Sequence, residues 1–122
     1  MRVILFLLLA LMSVAVHGGE RVALVVGCGT YSNMLGRQLI SPAADSEDVA
    51  GALKKMGYRL IGGGAMKELT REKLTEAVER LTTEAKRAEA AVFYFSGHGV
   101  QIGEENYLLP VDMPKENIFL KA

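Results

Sequence analysis

Residues 90–95, Ala-Ala-Val-Phe-Tyr-Phe, form a short apolar run that passes directly into Ser96-Gly97-His98-Gly99, and this junction constrains the fold more than any other part of the chain. Val, Phe and Tyr favour pleated backbone, and a run that is apolar on both faces suits a strand buried within a sheet. Gly97 and Gly99 lack a Cβ, which predicts a sharp turn and close approach of a ligand where that strand ends. An imidazole placed there stands where open α/β sheets bind their ligands, beyond the carboxyl ends of the strands. Among side chains, histidine has the ordinary pKa nearest neutrality, so the position suits proton transfer.

The rest of the chain supplies the frame for such a strand. Arg21-Val22-Ala23-Leu24-Val25-Val26-Gly27 predicts a central strand buried on both faces. Ser41 and Pro42 then offer an N-cap and a first-turn proline, with Asp45, Glu47 and Asp48 near the positive end of the helix dipole. Val49, Ala52, Leu53 and Met56 recur at helical spacing, and Gly57 closes the helix. Tyr58-Arg59-Leu60-Ile61 predicts a second strand and Gly62-Gly63-Gly64 a flexible exit. Thr70 caps a second helix with the stripe Leu74, Ala77, Val78, Leu81 and Ala85. After His98, Val100-Gln101-Ile102 and Asn106-Tyr107-Leu108-Leu109 pair as a hairpin around residues 103–105. Strand, helix, strand, helix, strand, joined by right-handed crossovers, gives an α/β fold with a doubly wound, mainly parallel sheet.

Length and charge narrow the function. The 122 residues, half of them hydrophobic, make one domain, since domains commonly run to roughly 100–150 residues. Fourteen basic and fourteen acidic side chains cancel, so no long-range field favours nucleic acid. A basic start at Arg2, an apolar run over residues 3–12 and small residues before Gly19 have the layout of a secretory signal, which assigns 1–18 to a leader and 19–122 to the domain. The leader predicts a secreted or periplasmic protein. Its apolar run falls short of the roughly 18 residues of a membrane span, so no membrane span is expected once it is removed. An uncleaved anchor or a hydrophobic first strand is the alternative reading of the same residues. The one cysteine, Cys28, rules out an intramolecular disulfide and a cysteine-ligated zinc cage within these residues. Residues 24–28 imitate a lipoprotein processing box, but cleavage there would delete the first strand. Gly27-Cys28-Gly29 is only a fragment of a dinucleotide loop, without a third glycine or an evident helix after it.

Taken together, several segments resemble the caspase-like cysteine peptidases, in particular bacterial caspase-domain proteins and metacaspases. They are Val22-Ala23-Leu24-Val25-Val26-Gly27 with Tyr31, Pro42-Ala43-Ala44-Asp45-Ser46, Phe93-Tyr94-Phe95-Ser96-Gly97-His98-Gly99-Val100-Gln101, and Asn106-Tyr107-Leu108-Leu109-Pro110-Val111-Asp112. The last two, in that order and at that distance, are the specific part of the signal. The resemblance covers residues 21–112 and implies a three-layer α/β/α sheet of the caspase-haemoglobinase type, ending after the hairpin that follows the histidine.

The resemblance also implies roles. His98 becomes the imidazole of a Cys-His dyad, and Gly99 offers a backbone N–H to the oxyanion. An imidazole beside a thiol lowers its pKa and returns a proton to the leaving amine. A preorganised N–H aimed at the oxyanion is worth about two to three orders of magnitude in other peptidases. Asp45 matches the aspartate that holds a basic side chain before the scissile bond; its other reading is a charge at the helix N-terminus. Protein or peptide substrates follow, no cofactor is required, and calcium enters only by analogy with metacaspases. Without the family, His98 could be a structural residue, a metal ligand or an acid–base group; metal binding is disfavoured, because the only other histidine, His17, falls in the expected leader and no His or Cys cluster remains.

In the caspase pattern the nucleophilic cysteine lies roughly 50 residues beyond the histidine, past Ala122. These residues are therefore expected to be the amino-terminal part of a cysteine endopeptidase and inactive on their own, since loss of the nucleophile costs about a million-fold in a serine peptidase. A peptide-binding module without activity and a truncated remnant are the alternatives. Cys28 standing in as nucleophile is a further one, and predicts His98-dependent alkylation.

Overall fold

The computed structural model describes residues 19–31 and 39–113 in full and residues 2–13 and 120–121 by their backbone. Along the chain come β1 (Arg2–Ser13), β2 (Glu20–Gly27), α1 (Ser41–Lys55), β3 (Tyr58–Leu60), a 3-10 turn (Ile61–Gly63), β4 (Met66–Lys67), α2 (Arg71–Ala85), β5 (Ala88–Ile102), β6 (Glu105–Leu108) and β7 (Leu120–Lys121). Their sheet order is β3-β2-β5-β6-β7, with β4 also on β2 and β1 also on β5. The centre is parallel: β2 pairs with β3, β4 and β5 in that sense. The pairs β1·β5, β5·β6 and β6·β7 are antiparallel.

β2 is the strand the apolar run predicts, with Val22 to Val26 all fully buried. Its side chains divide between two cores. Val22, Leu24 and Val26 join Leu74, Ala77 and Leu81 of α2 and Phe95 of β5. Ala23 and Val25 join Ala50 and Leu53 of α1 with Val92 and Tyr94. A strand presents alternate residues to opposite faces, so one helix covers each side and the molecule has three layers.

Two helix details differ from expectation. α1 begins at Ser41 itself, Ile40 occupies the cap position without a side-chain hydrogen bond, and no acidic residue lies in the first turn. Its buried face is Pro42, Ser46, Ala50 and Leu53, so Met56 is 58% exposed and Ala52 is exposed too. The expected stripe was displaced because Pro42 and Ser46 pack against the end of β2, where a Cβ on Gly27 would meet Pro42 O and lie 2.7 Å from Ser46 Oγ. α2 follows its prediction. Thr70 Oγ1 accepts the Lys73 N–H at 3.3 Å, and Asp112 Oδ1 accepts the Arg71 N–H at 2.8 Å.

β5 carries the main correction. The strand does not end at Phe95 but continues to Ile102, and neither Gly97 nor Gly99 has a positive φ. What changes near His98 is the neighbour. β2 pairs with β5 up to Gly27↔Ser96, and β6 takes over from Gly99↔Leu108. The hairpin turns through Gly103 and Glu104, and Glu105 already belongs to β6. Along the other edge β1 pairs from Ser13↔Ala90 to Arg2↔Gln101, so the apolar part of the expected leader lies as a strand. Residues 14–18 and the stretch 114–119 lie outside the described residues.

Candidate active site

His98 occupies the gap between β2 and β6 on β5. The chain leaving β2 folds across this gap. Cys28 N–H donates to the Ser96 carbonyl at 2.8 Å, extending the ladder one residue past Gly27. Gly29 and Thr30 then donate their N–H groups to the Glu68 carboxylate at 3.1 and 2.8 Å. Glu68 in turn donates its own N–H to Gly27 O at 2.9 Å. It holds a left-handed φ of 56° to do so, a conformation that costs a non-glycine residue free energy and persists only where surrounding bonds enforce it. Nothing in the local sequence marks Glu68. Its role depends on a loop some 40 residues earlier.

This loop delivers Tyr31, which is wholly buried. Tyr31 Oη accepts the His98 N–H at 2.8 Å and donates to the Leu109 carbonyl at 3.0 Å. Leu109 N–H donates to the His98 carbonyl at 3.0 Å. The Tyr31 and His98 rings lie 4.8 Å apart, tilted by 58°, within the range of edge-to-face aromatic contacts. Gly97 makes room for this arrangement. A Cβ there would fall 2.7 Å from Tyr31 Oη and 3.0 Å from Cys28 O. The glycine before His98 therefore serves close packing and not the sharp turn that the sequence suggests.

The direction of the Gly99 amide follows from the same bonds. The Leu109 N–H to His98 O bond brackets the Gly99↔Leu108 pair, which makes it a non-hydrogen-bonded pair of the antiparallel ladder. The amide and carbonyl of His98 thus face the β2 and β6 side, and those of Gly99 face the opposite edge. Ile4 of β1 is the register partner of Gly99 on that edge.

Asp45 is exposed on α1, in the second helical turn. The dipole interaction fades beyond the first turn, so the geometry does not favour the helix-terminus reading. Its charge reaches Tyr94 of β5. Burial chiefly raises the Tyr94 phenol above its ordinary pKa, a hydrogen bond with the Ser96 side chain opposes this, and Asp45 adds to the rise. Asp45, Tyr94 and Ser96 therefore share a neighbourhood on the strand that carries His98. In the sequence Tyr94 belonged to the expected strand and Ser96 to the segment just after it, both within the motif that resembles the family, and neither was singled out as a site residue.

Cys28 has the opposite of a nucleophile's surroundings. It is wholly buried, and burial is the main cause that pushes its thiol up to about 12, with the Glu68 charge adding to the effect. Reactive cysteines sit in exposed, electropositive sites that lower the pKa. Among the described residues no group of three or more His, Cys, Asp or Glu side chains is placed to hold a metal. A surface hollow of about 230 Å³ lined by Ile61, Met66, Lys73, Glu76, Ala77 and Arg80 lies against α2, and neither His98 nor Asp45 lines it.

The histidine thus sits in an α/β/α sandwich with a parallel centre, on β5 where its neighbour changes from β2 to β6. The caspase-domain family model matches residues 20–122, and the chain belongs to that family of peptidases. The match starts where β2 starts, which leaves β1 outside it. No curated protein matches the chain.

Proposed function

We propose that this caspase domain belongs to a cysteine endopeptidase in which His98 is the acid–base group of a Cys-His pair, Gly99 N–H stabilises the oxyanion, and a cysteine other than Cys28 attacks the peptide carbonyl. The observation that carries the reading is the position of His98, fixed through its backbone between the carboxyl ends of β2 and β6. The imidazole takes the proton from the thiol as the sulfur attacks. It then gives that proton to the departing amine. The Gly99 amide is turned away from β6 towards Ile4 of β1, so in this proposal it serves the oxyanion where β1 does not occupy that edge.

Asp45 is the residue that selects substrate in this proposal. An exposed carboxylate without a helix-dipole role suits recognition of Arg or Lys before the scissile bond. The apolar layout of residues 1–18 supports export, and the start of the family match at Glu20 agrees with a domain that begins after a leader. The burial of the single cysteine favours a second reading for these 122 residues by themselves, a peptide-binding module of the same fold.

The test is covalent trapping with a peptidyl acyloxymethyl ketone carrying Arg next to the warhead, followed by mass mapping of the labelled residue. The expected label falls on a cysteine other than Cys28, disappears in His98→Ala, and drops at least tenfold in Asp45→Asn. The 122-residue chain should take none. Labelling of Cys28, or labelling that ignores His98, defeats the proposal.

A further inference from the structure

Tyr31 links His98 of β5 to Leu109, which directly follows β6. Its hydroxyl accepts the His98 N–H and donates to Leu109 O, its ring leans on the imidazole, and Gly97 lacks the Cβ that would displace its hydroxyl. A phenol can accept one hydrogen bond and donate another at the same time. Burial raises the Tyr31 phenol well above its ordinary pKa, so the donated bond persists across the working pH range. Phenylalanine would fill the same volume and keep the ring contact, but it would leave a buried amide and a buried carbonyl without this partner. We propose that Tyr31 is a positioning residue that holds the His98 imidazole in one orientation, its hydroxyl fixing the backbone and its ring fixing the side chain. The role rests on the reading of His98 as the acid–base group, because only a group that exchanges protons in a set direction needs such restraint.

The two parts of Tyr31 predict separable effects. In the 122-residue chain labelled with 15N, Tyr31→Phe should speed exchange of the His98 amide at least tenfold while the amides of Leu24 and Val25 in β2 keep their protection. The His98 side chain should keep a single χ1 rotamer in Tyr31→Phe and lose it in Tyr31→Leu, seen as movement of the Hα–Hβ couplings towards averaged values. Gly97→Ala places a methyl group on the hydroxyl and should reproduce the Tyr31→Phe exchange pattern with the tyrosine intact. The proposal is overturned by a His98 amide unchanged in Tyr31→Phe, by a gain in exchange shared equally with Leu24 and Val25, or by a His98 χ1 rotamer already averaged in the parent chain. Its failure is distinct from that of the peptidase reading. Trapping that ignores His98 removes the acid–base role, and the spectra still decide whether Tyr31 restrains the ring.

Discussion

Cys28 shows how far one residue's surroundings can depart from what its type suggests. A lone cysteine at the end of a strand, with a histidine on the neighbouring strand, invites a nucleophile, and the parallel pairing of β2 with β5 does bring the two segments together. Burial decides against it, because a thiol at about 12 is protonated at neutral pH. Iodoacetamide should alkylate the native chain at pH 7.5 roughly a hundredfold or more slowly than the same chain in denaturant, and His98→Ala should leave the native rate unchanged. The same shift has a consequence for stability. The folded thiol titrates near 12 and the ordinary value is 9.0, so the unfolded chain loses its proton first as pH rises. The contribution of Cys28 is complete below about pH 9 and declines between there and about pH 12. Thermal melts of the parent and Cys28→Ala should show a steeper alkaline decline in the parent. His98 and Asp45 were legible in the sequence because short motifs carry them. Tyr31 was legible only as part of a matching segment and Glu68 not at all, since their partners lie 67 and 39 positions away.

The elements were legible where each depends on its own residues and less so where it depends on a neighbour. α2 kept its predicted cap and its predicted stripe because Leu74, Ala77 and Leu81 face the sheet with period 3.6. Thr70→Ala should therefore cost about 0.5–1 kcal/mol in a urea melt, towards the lower end of cap effects because Asp112 also holds the first turn. α1 turned its buried face by about one position, because the close approach of Pro42 and Ser46 to Gly27 overrides the average direction of its apolar residues. β4 has only two residues, too few to give a periodic signal, and exists because β2 offers it an edge. β5 outran its apolar stretch for the same reason. Ser96, Gly97, His98 and Gly99 have little preference for a strand, yet β1 and β6 supply partners along their whole length.

At the scale of the molecule, the sheet is closed on one side of β5 by β2 and β6 in succession and on the other by β1. A leader removed on export would uncover β5 from Ala90 to Gln101, leaving a row of unpaired amides and carbonyls of the kind that recruits other chains. Residues 19–122 expressed alone should elute as oligomers or aggregates at a concentration where the 122-residue chain stays monomeric, as read by light scattering. Equal monomeric behaviour of the two would show that β1 is dispensable to the sheet. The Tyr31 bridge has a different consequence, one of timing. Its bonds join positions 67 and 78 residues apart, so β2, β5 and β6 must all have docked before the imidazole acquires a fixed direction. Nascent chains whose sheet is half assembled would carry His98 without a settled ring orientation. In the proposed peptidase, the acid–base group would be set only after these strands had docked.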